Sequence, residues 1–288
     1  MKKKILIIGS KGMAGHIIYY YFKELPNFEV IDISRSNKVF NSSYILDVND
    51  TLELEKIIYK EKPCIVINCI GILNKDAEDN PDKAIFLNSY LPHFLAKLGS
   101  KLNFKLIHIS TDCVFNGKKG SYKEDDIKDG FGIYAQSKAL GEVNYGNHLT
   151  IRTSIIGPEI NNNGIGLFNW FMHQNGEIKG FRNVIWSGVT TIELAKAIEK
   201  MIDQNIIGLY QLVNYPINKF DLLLLFKQIF SKQNINLVAF DDYYANKSLI
   251  STRNDFTYNV CNYLTMMEEM KEWMSFHVNL YPHYFHLS

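Results

Sequence analysis

The stretch Ile5-Leu6-Ile7-Ile8-Gly9-Ser10-Lys11-Gly12-Met13-Ala14-Gly15 decides how the chain is read. Four consecutive apolar residues, three of them β-branched, suit a strand buried on both faces. Three glycines follow in a G-x-x-G-x-x-G spacing, and residues 13–25 then carry a helical pattern. Glycines between a strand and a helix permit a tight turn, close approach of a pyrophosphate and close packing of helix on strand. The phosphate meets the free N–H groups of the helix N-terminus. The spacing departs from the commoner G-x-G-x-x-G, and a plain turn is the alternative. Its position between strand and helix favours a dinucleotide, with Gly9, Lys11, Gly12, Met13 and Gly15 as candidate contacts.

Outward from this motif, apolar runs at 28–33, 64–69, 105–110 and 150–154 read as further buried strands. Residues 52–60, 82–99 and 134–145 read as helices between them. Such alternation specifies an α/β fold with a doubly wound parallel sheet and right-handed crossovers. Ligands on such sheets bind at the carboxyl ends of the strands. Beyond residue 155 the pattern changes to a loop at 161–164, helices over 167–173, 190–203, 220–230 and 266–276, and one strand at 208–214. No repeat or flexible linker separates the halves. The expected organisation is a Rossmann domain over 1–157, to which 187–215 returns, and a smaller substrate-binding cap made mainly by 158–288.

Composition narrows the function classes. The 288 residues are 47% hydrophobic and 21% charged, with 31 Lys plus Arg against 30 Asp plus Glu, a net charge of +1. That balance argues against a nucleic-acid partner, which calls for clustered basic excess. No apolar run approaches the roughly 20 residues of a membrane span, and the apolar start is too short for a signal peptide. A soluble, cytoplasmic protein is expected. The four cysteines form no C-x-x-C pair and have no His at ligand spacing, so they read as buried structural thiols and no metal is expected. His277, His283 and His286 read as part of a polar tail.

The end of the second strand selects the dinucleotide. An acid there binds the ribose 2′-OH of NAD, whereas Arg suits the 2′-phosphate of NADP. In Phe28-Glu29-Val30-Ile31-Asp32-Ile33-Ser34-Arg35-Ser36 the strand is expected to end at Ser34-Arg35, which favours NADP. A register slip of two would make Asp32 an NAD-type acid. The next constellation is Tyr134-Ala135-Gln136-Ser137-Lys138. Positions i and i+4 share a helix face. A cation beside a phenol lowers its pKa from about 10 toward a useful range for acid catalysis. An exposed helical pair is the plain alternative. Ser110-Thr111-Asp112 closes a strand at the sheet's carboxyl edge, where a hydroxyl is well placed to hold a carbonyl oxygen.

Together the glycine motif, Thr111 and Tyr134-x-x-x-Lys138 resemble an extended short-chain dehydrogenase/reductase. More narrowly, Ile109-Ser110-Thr111-Asp112-Cys113-Val114-Phe115-Asn116-Gly117, Tyr122-Lys123-Glu124-Asp125-Asp126 and Tyr134-Ala135-Gln136-Ser137-Lys138-Ala139-Leu140-Gly141-Glu142 resemble the dTDP-4-dehydrorhamnose reductase family. Asn68-Cys69-Ile70-Gly71, Asn88 and Ile151-Arg152-Thr153-Ser154-Ile155-Ile156-Gly157 support the likeness, which covers roughly residues 1–215. It implies Tyr134 as proton donor, Lys138 as partner of the ribose and the phenol, and Thr111 as the carbonyl-binding hydroxyl. It implies NADPH contacts from Gly9, Gly12, Gly15, Ser34, Arg35, Asp47, Val48, Cys69, Gly71, Asn88 and Ser110. Asp112, Cys113, Phe115, Ile155 and Trp186 would line the substrate pocket.

Cys113 stands where these reductases usually have Tyr, and Ile155 where they have a large aromatic, so the hexose is the part in doubt. Lys247 and Arg253 in the cap are cations suited to a substrate diphosphate. The 4,6-dehydratases of the same fold carry Thr-Asp-Glu where this chain has Thr111-Asp112-Cys113, which leaves no base for elimination. Epimerases keep NAD and favour an acid near Ser34. The expected function is therefore NADPH-dependent reduction of a dTDP- or UDP-linked 4-keto-6-deoxyhexose by a monomer or homodimer. A non-catalytic, NADP-binding regulatory subunit is the reading from another class.

Overall fold

The computed structural model describes residues 2–37 and 39–285. Its first half runs β1 (Lys3–Ile8), α1 (Met13–Glu24), β2 (Phe28–Ser34), β3 (Tyr44–Ile45), α2 (Thr51–Glu61), β4 (Ile65–Asn68), α3 (Asn74–Asp79), α4 (Pro81–Ala84), α5 (Leu91–Leu102), β5 (Lys105–Thr111), α6 (Gly132–Leu140), β6 (Leu149–Thr153) and β7 (Ile155–Ile156). The second half runs α7 (Leu167–Met172), β8 (Gly176–Phe181), β9 (Val184–Trp186), β10 (Val189–Thr190), α8 (Thr191–Asp203), β11 (Gly208–Gln211), β12 (Ile217–Asn218), α9 (Lys219–Ile229), β13 (Ile235–Phe240), β14 (Ala245–Asn246), α10 (Tyr263–Phe276) and α11 (Pro282–Phe285).

Seven strands form one parallel sheet in the order β11-β6-β5-β4-β1-β2-β3. Alternation along β1 shows why its sequence is apolar throughout. Ile5 and Ile7 enter one core, with Ile17, Ile18 and Phe22 of α1 and Leu194 and Ile198 of α8. Leu6 and Ile8 enter the other, with Leu54 and Ile58 of α2 and Leu91 and Leu95 of α5. All four strand residues are fully buried.

One expected helix is broken. The pattern at 82–99 becomes α4, a π-helical turn at Ile85–Tyr90 and α5. Pro92 has no N–H to offer the carbonyl of Asn88, which frees the backbone to take the wider turn. Helix α6 also stops at Leu140 rather than continuing to 145. At Gly141, a Cβ would lie 1.8 Å from the Asn88 carbonyl oxygen, so only glycine lets the two segments meet.

After β7 the chain makes small sheets, β8 with β13, β7 with β10, and β9 between β12 and β14. Neither these nor β3 show in the hydrophobic pattern. Two sets of contacts stitch this part to the first. Tyr281 is fully buried and its hydroxyl lies 2.7 Å from His16 Nε2 on α1. Asn246 N donates to Gly117 O, Tyr122 N to Ser248 O and Ile250 N to Tyr122 O, zipping the loop after β5 to residues 246–250. Among the described residues no helix is long and apolar enough to cross a membrane.

Candidate active site

The carboxyl ends of β1, β4 and β5 supply the site. Gly9 has φ +87° and Gly12 donates its N–H to Gly9 O at 3.1 Å, which forms the turn out of β1. A Cβ on Gly15 would fall 2.1 Å from Gly9 O, so helix and turn can touch only without a side chain there. Gly12 is the N-cap of α1, and no side chain caps the helix. Its first N–H groups therefore point, with the helix dipole, toward any anion held over the turn. This cradle fits a dinucleotide pyrophosphate.

Strand β2 ends at Ser34. Asp32 is fully buried and accepts hydrogen bonds from Ser10 Oγ and from Ser43 N and Oγ, so its carboxylate is consumed inside the protein. Arg35 is exposed beyond the strand end. Lys11 reaches into the same corner, donating to the carbonyls of Ser36 and Phe40. It shapes the 36–40 loop, and burial lowers its pKa. Val48 is buried and the exposed Asp47 accepts from Asn49.

The catalytic candidates come together. Thr111 closes β5, accepts from Cys113 N at 3.1 Å and donates to Asp112 Oδ1 at 3.2 Å. Tyr134, on α6, has the Thr111 hydroxyl near enough to favour its phenolate. Burial pushes the Tyr134 phenol above its ordinary value, and the nearby Cys113 and Asp112 act in the same direction, while Thr111 opposes them. The expected depression by Lys138 is corrected here. The Lys138 ammonium donates to Ile109 O at 2.6 Å, and burial lowers its own pKa to about 8. It sits beside Cys69, whose thiol burial pushes up to about 12.

Several expected contacts face inward instead. Asn88 is fully buried, with Nδ2 donating to Ile72 O and Ser137 Oγ and Oδ1 accepting from Ile72 N. It braces the exposed Gly71 loop against α6 rather than offering its amide to a ligand. Ser110 donates to Glu142 Oε1 at 2.8 Å, part of a buried pair in which Arg152 holds Glu142 through bonds of 2.8 and 2.7 Å. Phe115 is fully buried, stacked on Tyr122 at 4.2 Å between ring centroids and covered by the Arg152 guanidinium. Arg253 pairs with Asp255 and donates to Ile207 O and Leu209 O, so it latches onto β11 instead of standing free for a diphosphate. Ile155 is part-buried against the core. Cys64 is exposed, contrary to the buried thiol expected. Cys261 lies with Glu193 and Glu269, their ligand atoms within 4.8 Å of one another, and its N–H donates to Glu193. His286 lies outside the described residues.

A residue not singled out in the sequence lies close to this group. Lys219, at the first turn of α9, lies 5.0 Å from the Trp186 ring centroid and faces Asp112 and Cys113. Burial lowers its pKa to about 8, opposed by the charge of Asp112. Burial raises the Asp112 carboxyl while Lys247 and Lys219 pull it down. Trp186 itself is 3% exposed, with its ring against the Lys219 ammonium. In sequence only a helix over 220–230 was expected here, and that points to no ligand.

The model of the RmlD substrate binding domain family matches residues 2–239. The chain belongs to this family. Among relatives of this RmlD-family chain, the spore coat polysaccharide biosynthesis protein SpsK of Bacillus subtilis is 27% identical over 217 residues, 73% of each chain. The methionine adenosyltransferase 2 subunit beta of Bos taurus is 31% identical over 143 residues, 49% of this chain and 42% of that protein. The chain thus matches less than half the length of that relative. The fold is also that of a dTDP-4-dehydrorhamnose reductase from Bacillus anthracis solved in complex with NADP, with TM-score 0.79, 19% identity, and coverage of 94% of this chain and 99% of that one.

Proposed function

We propose that this RmlD-family protein is an NADPH-dependent 4-ketoreductase of a nucleotide-linked 4-keto-6-deoxyhexose in polysaccharide synthesis, working in the cytoplasm. The observation that carries the reading is the convergence of Thr111, Tyr134 and Lys138 at the strand edge beside the glycine cradle. Residues 1–157 with 187–215 form its cofactor half, and 158–288 mainly its cap. Gly9, Gly12 and Gly15 hold the pyrophosphate, Ser34 and Arg35 the 2′-phosphate, and Lys138 the ribose. A bound NADPH supplies the hydride. Thr111 orients the carbonyl oxygen and Tyr134 gives it a proton, so the protein contributes placement and acid catalysis. Lys219 and Lys247, whose charges both act on Asp112, flank the sugar nucleotide.

Cys113 and Ile155 are smaller than the aromatics expected around rhamnose-type substrates. The space suits a UDP-linked 2-acetamido-4-keto-6-deoxyhexose, a preference of about 1–3 kcal/mol per methylene filled. NADPH oxidation with a panel of 4-keto sugar nucleotides tests the activity, and competition between this UDP sugar and dTDP-4-dehydrorhamnose tests the preference. Predominant reduction of the dTDP sugar leaves the plain rhamnose assignment. The likeness to methionine adenosyltransferase 2 subunit beta supports a second reading, a regulatory subunit that binds NADP without turnover. Binding of NADPH with no oxidation across the panel favours it.

A further inference from the structure

Behind the catalytic lysine lies a polar pair that the reading above leaves unused. Asn68 of β4 and His108 of β5 are register partners, and both are fully buried. The N–H of Ile70 donates to Asn68 Oδ1 at 3.1 Å, which fixes the amide so that Nδ2 faces His108 Nδ1 at 3.2 Å. An NH₂ group only donates, so Nδ1 accepts and carries no proton. Burial, aided by the charge of Lys138, keeps the ring neutral. A neutral imidazole has one proton, which then sits on Nε2, and Nε2 lies 3.5 Å from Lys138 Nζ.

We propose that the Asn68–His108 pair is a positioning device that turns an N–H toward Lys138 and so weakens its hold on its proton. An ammonium meets this N–H as donor against donor, whereas an amine accepts from it. The other neighbours act differently. Ile109 O accepts from Nζ, and Glu142 and Cys69 favour the ammonium. Tyr134 lies one turn earlier on α6, and His93 of α5 bears on His108. The pair therefore works against the carbonyl and the acids, and its orientation is set by one backbone N–H.

The tautomer stands apart from the ketoreductase reading, while its kinetic consequence rests on that reading. Nitrogen-15 NMR of the histidine-labelled chain, without substrate, should show His108 with its proton on Nε2. Asn68→Asp keeps the acceptor for Ile70 N but places a second acceptor against Nδ1, and should move the proton to Nδ1. If the reductase needs the ammonium, both Asn68→Asp and His108→Leu should shift the alkaline limb of NADPH oxidation upward by on the order of one pH unit. The two variants differ in charge, so a shared shift reports the lost N–H. A proton on Nδ1 in the wild type, or a limb unmoved in both variants, overturns the proposal. An Nε2 proton in a chain that reduces no keto sugar upholds the tautomer and removes the ketoreductase reading instead.

Discussion

Gly12 and Gly15 are glycines for different reasons, and alanine at each separates those reasons. At Gly15 a Cβ would meet Gly9 O at 2.1 Å, Gly9 C at 2.9 Å and Ser10 Cα at 3.2 Å, all backbone atoms that no rotamer change can move. Restoring ordinary contact parts helix from turn by more than about 1 Å. Overpacking of this kind costs about 1–3 kcal/mol. Alanine's better helix propensity returns about 0.5–1 kcal/mol, and with three backbone contacts at once the cost lies at the upper end, so Gly15→Ala should lose about 2 kcal/mol net. At Gly12, φ is −74° and the nearest atom to a Cβ is Gly9 O at 3.5 Å, so alanine fits the protein. Its methyl instead occupies the approach of a pyrophosphate. Loss of one charge-assisted hydrogen bond, about 1.5–3 kcal/mol, weakens NADPH binding roughly 10- to 150-fold. Urea unfolding and NADPH fluorescence titration read the two effects. Gly12→Ala should keep stability within about 1 kcal/mol and lose affinity, whereas Gly15→Ala should lose both. Equal stability losses, or wild-type NADPH affinity in Gly12→Ala, would refute the reasoning.

Tyr134→Phe removes only the phenolic hydroxyl, so NADPH binding should persist while turnover falls by about 10²–10⁴-fold; an unchanged rate excludes the phenol as the acid. Arg35→Ala should raise KM for NADPH far more than for NADH, and equal losses in steady-state assays would remove the 2′-phosphate assignment. Lys219→Met should raise KM for the sugar nucleotide by roughly 10- to 150-fold, with NADPH affinity unchanged, if its ammonium makes one charge-assisted contact. An unaltered KM takes Lys219 out of the pocket. Glu142→Gln leaves the fully buried Arg152 guanidinium without its carboxylate and should cost about 3–5 kcal/mol in urea unfolding; a loss under about 1 kcal/mol would show the pair to be solvated.

The sheet and its cofactor edge were legible because they rest on local patterns. Strands buried on both faces read as unbroken apolar runs, and the glycine turn joins adjacent elements, so β1, β2, β4, β5 and β6 fall within one or two residues of their expected bounds. The end of β2 at Ser34 also fell where alternation put it. Most cap strands were invisible because two- and three-residue strands carry no period, and the six-residue β8 and β13 are part-exposed and mix polar residues or glycine into the run. Lys219 escaped for a different reason: it stands 107 positions from Asp112 in sequence, and only the packing of α9 against β9 and β12 brings them together. Asn88, Ser110, Phe115 and Arg253 were recognised by type, yet type does not say which way a side chain turns. Each has found partners inside the protein.

The orientation of Ser110 in turn explains how Tyr134 is held in place. On β5, His108 and Ser110 are two residues apart and share a face, about 6.6 Å along the strand. On α6 and its continuation, Lys138 and Glu142 are four apart and share a face, about 6 Å along the helix axis. The two spacings are nearly equal, so a strand pair and a helix pair can meet without strain. They do meet, in the same order along both segments: His108 Nε2 lies 3.5 Å from Lys138 Nζ, and Ser110 Oγ lies 2.8 Å from Glu142 Oε1. A slip of α6 by one residue would turn Lys138 away from Ile109 O and Glu142 away from Ser110 by about 100° and strand them in the interior. Three of the four groups that fix the register, His108, Ser110 and Glu142, never need to touch a ligand. Tyr134, one turn before Lys138, inherits its position beside Thr111 from that lock. Residues matching the family pattern can therefore be indispensable to the site while facing away from it.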